Sequence, residues 1–185
     1  MYYETTVKAH IRVPPEVFEK DKDSAVLDQI KEDFNNYISK DVGVVIGIKE
    51  VTNVGEGVII QGDGAAYYDT EFKLVVFKPE LHEVILGNIT EITDFGAFLN
   101  MGPIDGMVHI SQTMDDFVSF SKSNVLSGKE SKKVLKQNDL CRARIIAVSY
   151  KDIKDPKIGL TMRQGNMGNV KWFEDEKKEK NKKNG

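Results

Sequence analysis

The stretch Gly87 to Ser111, GNITEITDFGAFLNMGPIDGMVHIS, constrains this chain most, because it puts aromatic side chains where a sheet meets solvent. It reads as strand, Phe-Gly turn, short strand, Gly-Pro turn, strand. In the second strand Ala97, Leu99 and Met101 alternate with Phe98 and Asn100; in the third, Val108 and Ile110 alternate with Met107, His109 and Ser111. A strand's side chains switch faces at every residue, so Phe98 and His109 fall opposite the predicted core residues Leu99, Val108 and Ile110. A Phe and a His on the wetter face of a small barrel make a stacking platform for unpaired bases. That chemistry points to single-stranded nucleic acid.

Charge qualifies the picture. The 185 residues suffice for one or two domains with an adequate core. Residues 1–80 carry a net charge of −6, residues 81–169 a net of +1 and the remainder +2, giving −3 overall. The nucleic-acid half therefore lacks the basic footprint of a tight, autonomous binder. Weak, salt-sensitive binding is expected, with the acidic first half as candidate anchor. In Cys141-Arg-Ala-Arg-Ile, Arg142 and Arg144 share one strand face, with Cys141, Ala143 and Ile145 on the other. One cysteine excludes an intramolecular disulfide and suits a reducing compartment, and beside Ala143 and Ile145 it reads as a buried structural thiol. The N-terminus lacks a charged start followed by an apolar stretch, and the longest apolar run, Val42 to Ile48, falls far short of the roughly 20 residues that span a bilayer. A soluble, cytoplasmic protein with no membrane partner is expected.

In the first eighty residues Val7, Ala9, Ile11 and Val13 share a face of a first strand, ended by Pro14-Pro15. Asp23 or Ser24 can cap a helix to about Ser39, with Val26 or Leu27, Ile30, Phe34 and Tyr37/Ile38 on its apolar face. Further strands follow at Val44 to Val51, Val58 to Gln61 and Glu71 to Phe77. Between them lie a glycine-rich connection, Asn53 to Gly57, and a turn, Gly62-Asp63-Gly64. The order β-α-β-β-β describes an α+β unit, a helix on a small antiparallel sheet. The glycines are no phosphate loop, since no Gly-Lys-Ser/Thr follows and no helix begins there. They read as turns, or as a hairpin tip whose exposed backbone suits docking to a larger protein.

Two resemblances emerge from these motifs. Gly87, Asp94-Phe95-Gly96-Ala97-Phe98, Gly106-Met-Val-His-Ile-Ser111 and Ile158-Gly-Leu-Thr-Met-Arg163 together resemble the S1-type RNA-binding domain, an all-β five-stranded OB-type barrel. In that family the aromatics, the His and neighbouring basic residues line the RNA face, which implies Phe95, Phe98, His109 and Arg163 here; Arg142 and Arg144 join them on chemistry alone. The whole chain, with Gly-Glu-Gly…Gly-Asp-Gly, Val13-Pro-Pro-Glu, Lys40-Asp-Val-Gly, Ser111-Gln-Thr-Met-Asp-Asp-Phe and Leu160-Thr-Met-Arg-Gln, resembles the RNA polymerase stalk subunits, in the archaeal rather than the eukaryotic form. That resemblance implies three parts: a polymerase-docking domain at 1–79, an S1-type domain at 80–168 and a charged, partly helical tail at 169–185. It implies a tip at Val51 to Ala66, including Gly55, Glu56, Gly57, Gly62, Asp63 and Gly64, that docks on the polymerase core near the clamp. It also implies a heterodimer with the second stalk component, a small helical polymerase subunit, and a barrel face that guides emerging transcript.

Other readings stand beside these. Phe95 precedes a tight glycine turn and reads as half core; His109 reads equally as a hydrogen-bonded structural His. The three arginines read also as ordinary solvated charges. Thr113 to Leu140 reads as a long loop with a basic turn, Gly128 to Lys133. Trp172 and Phe173 read as packing back on the barrel or docking on a partner, with helix continuing to about Lys180. No cofactor or metal is expected, because His10, His82, His109 and Cys141 lack ligand spacing. No nucleophile–base pair stands out, so the chain reads as non-catalytic. The alternative to a polymerase subunit is a free S1-domain RNA-binding protein, associated with translation or the exosome; an S1-domain ribonuclease would need an acidic metal-binding cluster and greater length.

Overall fold

The computed structural model describes residues 1–121, 123–153 and 155–173. The chain divides into two compact units, Met1–Lys78 and a second that begins at Pro79.

The first unit is an antiparallel sheet with one helix. Its elements are β1 (Tyr2–Val13), a 3-10 turn (Pro15–Val17), α1 (Lys22–Phe34), β2 (Ile38–Ser39), β3 (Gly43–Ile59) and β4 (Ala66–Phe77). The strands lie in the order β1-β4-β3-β2. Ile11 and Val13 of β1, Val45 of β3 and Phe72, Leu74 and Val76 of β4 form the core with Ala25, Val26 and Ile30 of α1. Phe34 ends the helix with its ring edge-on to Phe72, centroids 5.0 Å apart. The helix is shorter than the sequence reading and starts earlier. Asp21 is the N-cap and accepts from the Ser24 backbone N–H, while Asn35 turns extended and Asn36 takes a positive φ of 56°.

The second correction concerns β3. Residues 53–57 are not a connection but part of one 17-residue strand running from Gly43 to Ile59. Its pairing with β4 shifts by one residue at four places: Val45/Gly47, Ile48/Glu50, Val51/Asn53 and Val54/Gly57. Each bulge inserts an extra residue and resets which side chain points inward. Val45, Ile48, Val51 and Val54 consequently all pack on the core at a spacing of three, a period belonging to neither a flat strand nor a helix.

The second unit contains a closed barrel of five strands: β5 (Val84–Ile92), β6 (Gly96–Asn100), β7 (Asp105–His109), β11 (Leu140–Ser149) and β12 (Lys157–Thr161). They are ordered β12-β7-β6-β5-β11, and β11 pairs back on β12. The β7–β12 seam is parallel, from Ile158↔Gly106 to Leu160↔Val108. Ile89, Leu99, Val108, Ala143, Ile145 and Leu160 fill the interior. Cys141 is buried there too, and desolvation pushes its thiol up to about 12, as befits a structural cysteine. Strand β7 ends at His109, so Ile110 is only partly buried and begins a 3-10 turn, Ile110–Gln112. The closing strand stops at Thr161, two residues before Arg163.

The segment between β7 and β11 is more than a loop. It builds a small antiparallel sheet from β8 (Val118–Ser121), β9 (Val125–Gly128) and β10 (Val134–Leu135). A further short strand, β13 (Gly168–Asn169), pairs with β11. Residues 170–173 are helical; the expected helix beyond them, to Lys180, lies outside the described residues. Trp172 packs against Gly168 and its Nε1 donates to the Val134 carbonyl at 3.3 Å.

Phe72 is fully buried at the centre of the first unit, so Phe72→Ala should destabilise that unit by about 3–5 kcal/mol in urea denaturation. Val58→Ala, on an exposed side chain of the same sheet, should change it by less than about 0.5 kcal/mol.

Candidate nucleic-acid interface

The barrel's β6–β7 hairpin gathers three of the six candidate RNA residues. Antiparallel register places Phe98 opposite Met107 and Gly96 opposite His109. Ala97, Leu99 and Val108 point into the core, which sends Phe98, Met107 and His109 to the outer face. Phe95 lies just before β6, 47% exposed, and its backbone carbonyl accepts from Ile110 N–H at 2.8 Å. The Phe95 and Phe98 rings meet edge to face, centroids 6.1 Å apart at 89°. This geometry holds the two rings at right angles and leaves Phe95 largely in solvent.

His109 serves the fold as well as the surface. Its Nδ1 accepts from the Ser111 backbone N–H at 3.3 Å and lies 2.8 Å from Ser111 Oγ, capping the 3-10 turn. With Nδ1 engaged as acceptor, the neutral ring carries its proton on Nε2.

The arginines are placed differently. Arg163 donates through Nε to Asp115 Oδ1 at 2.9 Å. Arg142 and Arg144 stand on β11, which neighbours β5, β12 and β13 rather than β6 or β7. Arg142 donates to the Asn166 carbonyl at 3.3 Å and lies over the Phe173 ring at 5.7 Å. Arg144 has its Nε buried with no protein acceptor. The aromatic hairpin thus has Glu91 directly across from Phe98 and no arginine on either adjacent strand, β5 or β12. The sequence reading missed Met107 on the same face as Phe98, although the alternation already carried that signal.

In the first unit the six candidate docking residues divide by physical role. Gly57 is a glycine because the Tyr68 ring would lie 2.7 Å from its Cβ, and a Cβ on Gly55 would meet the Asp69 carbonyl at 2.9 Å. Glu56 sits between them in β3. Gly62 and Gly64 take positive φ values of 97° and 73° in the β3–β4 turn. Asp63 is a clamp. Arg12 donates to both its oxygens at 2.9 and 2.7 Å, and Tyr67 Oη donates at 2.6 Å. These partners, the guanidinium first, hold the Asp63 carboxyl at about 2. What the sequence reading missed is the apolar run beside the turn: Val58, Ile59 and Ile60 are 63%, 66% and 51% exposed.

Among the described residues, no group of three or more His, Cys, Asp or Glu could hold a metal ion, and no helix is long and apolar enough to cross a membrane.

The fold and this face define the class: an S1 RNA-binding domain, matched over residues 78–153, preceded over residues 8–64 by the SHS2 domain found in the N terminus of Rpb7p/Rpc25p/MJ0397. The chain is 39% identical over 177 residues to the DNA-directed RNA polymerase subunit Rpo7 of Sulfolobus acidocaldarius, covering 95% of this chain and 97% of that one. It is 36% identical over 180 residues to Rpo7 of Saccharolobus solfataricus, covering 96% and 100%. A shorter match, 36% over 104 residues, reaches the DNA-directed RNA polymerase III subunit RPC8 of Saccharomyces cerevisiae, covering 56% of this chain and 49% of that one. The chain belongs to the Rpo7 family of DNA-directed RNA polymerase subunits.

The Asp63 clamp gives a pH signature. Its folded carboxyl, at about 2, lies below the ordinary 3.8, so its stabilisation is complete above that ordinary value and is lost as pH falls through about 2. Hydrogen exchange across residues 60–65 should therefore accelerate below about pH 4 in the wild type. In Asp63→Asn it should be faster already at neutral pH and nearly independent of pH.

Proposed function

We propose that this chain is a non-catalytic stalk subunit of a DNA-directed RNA polymerase, docked through its N-terminal hairpin and touching emerging single-stranded transcript through its barrel. The observation that carries the reading is the exposed, right-angled Phe95–Phe98 pair beside His109, on a barrel of the S1 type. Aromatic rings accept any base by stacking, without sequence readout. With no arginine on β5 or β12, neither Phe98 nor Met107 is flanked by one, which favours feeble affinity. Attachment to the polymerase compensates, because a tethered site sees RNA at a high effective concentration.

Docking is supported by Val58, Ile59 and Ile60, contiguous and exposed at the end of a hairpin stiffened by the Arg12–Asp63–Tyr67 clamp. A rigid apolar tip buries its side chains in a partner pocket at little entropic cost. A second apolar strip, Val84 and Leu86 of β5 beside Leu140 of β11, suits a small helical partner, the second component of the stalk heterodimer. The full-length likeness to two Rpo7 subunits favours this over a free translation or exosome factor.

Two substitutions separate the roles. Ile59→Glu should abolish co-purification with the large polymerase subunits after nuclease treatment, while oligonucleotide binding by the isolated full chain stays unchanged. Phe98→Ala with His109→Ala should do the reverse, weakening RNA binding about five- to a hundredfold in a fluorescence titration with assembly intact. Co-purification of Ile59→Glu at wild-type yield would overturn the docking role.

A further inference from the structure

We infer that a groove beside the aromatic hairpin is a second nucleotide subsite, which takes one base on Phe117 and its phosphate on Arg163. The inference rests on the RNA-binding reading of the barrel and extends it to residues outside the β6–β7 face.

The groove, of about 500 Å³, runs between Ile110, Ser111, Asp115, Phe117, Val118 and Arg163. That volume admits one nucleotide. Phe117 is 76% exposed, more than any other Phe, Trp or Tyr among the described residues. An aromatic ring left this bare in water is poorly accounted for by packing. The Lys129 ammonium lies 5.2 Å from the ring centroid, occupying one face and supplying a cation for a phosphate. The other face is free for a base.

The walls are already rigid. The 3-10 turn that follows His109 is tied to the end of β12, where Met162 N–H donates to the Gln112 carbonyl and Thr161 Oγ1 to Gln112 Oε1, both at 2.8 Å. Asp116 fixes the opposite side, accepting from the backbone N–H of Glu130 and Ser131 and from Ser131 Oγ. Those bonds hold its carboxyl at about 2, so the groove is built before any ligand arrives. Continuity settles the occupant. Ile110 and Ser111 directly follow His109, so a strand stacked on Phe98 and leaving over His109 enters this groove without a break in the chain.

Three acids line or border the site. Asp116 is committed to the loop and Asp115 to Arg163, leaving Glu130 opposed by Lys129, Lys132 and Lys133 on the same turn. The Arg163–Asp115 pair is solvent-exposed, 51% and 77% by side chain, so phosphate can displace the carboxylate at small cost. Asp115 thereby restrains the subsite: it keeps Arg163 extended over the groove and competes with RNA for it.

The test is a fluorescence titration of the full chain with labelled oligoadenylates from about 4 to about 12 nucleotides. Phe117→Ala should weaken the longer oligonucleotides at least about fivefold, leave the shortest unchanged and shorten the footprint, while Phe117→Tyr keeps wild-type affinity. Arg163→Gln should flatten the dependence of log K on log salt by about 0.7. Asp115→Asn should tighten binding about two- to fivefold. If Phe98→Ala weakens binding but Phe117→Ala matches wild type at every length, the subsite is overturned and the platform stands. If the wild type binds no oligonucleotide, the platform reading falls and the subsite with it.

Discussion

Closure of the barrel along the parallel β7–β12 seam is the constraint on which the nucleic-acid face depends. Leu160 from β12 packs over Gly106, where any Cβ would lie 2.5 Å from its Cδ1, so the seam requires glycine at that point. Once closed, the barrel leaves β6 and β7 no freedom of face: Ala97, Leu99 and Val108 are committed inward. Phe98, Met107 and His109 are thereby committed outward, with Phe95 carried along by the turn. The same seam places Thr161 against Gln112 and so fixes where the chain goes after His109. Platform and groove are consequences of one closure.

The first unit solves a different problem. A sheet that must present a protruding hairpin needs a strand long enough to reach beyond its core, yet curved enough to stay on the helix. Four bulges in β3 supply the curvature and spacing, and the clamp of Arg12 and Tyr67 on Asp63 holds the turn. Apolar side chains at the tip are then displayed rather than buried, an arrangement that makes sense for a chain that works inside an assembly.

Much of this was legible in the residues. Strict alternation around Leu99 and Val108, the single helix between β1 and β3, and the Cys141–Ile145 strand all follow directly from period and burial. What was not legible has physical causes. Apolar residues at 45, 48, 51 and 54 repeat every three, because bulges slip the register, and no simple period reveals that. The helix stop at Phe34 is set by the Asn35–Asn36 turn and by Phe34 packing on Phe72, a long-range contact invisible to local pattern. The sheet formed by β8 to β10 has strands of two to four residues, too short for alternation to register. The destination of each arginine was equally hidden, since the partners of Arg142 and Arg163 lie 24 and 48 residues away in sequence. The stacking hairpin was readable because its geometry is local; the charges around it were not, because theirs is tertiary.

The most direct test of this account is photocrosslinking from a nascent transcript within a stalled elongation complex that contains this chain, with the attached peptides mapped by mass spectrometry. The account places crosslinks within 95–109, continuing to 110–118 as the transcript lengthens. Crosslinks confined to the β5–β11 face, or none on this chain at any transcript length, would contradict it.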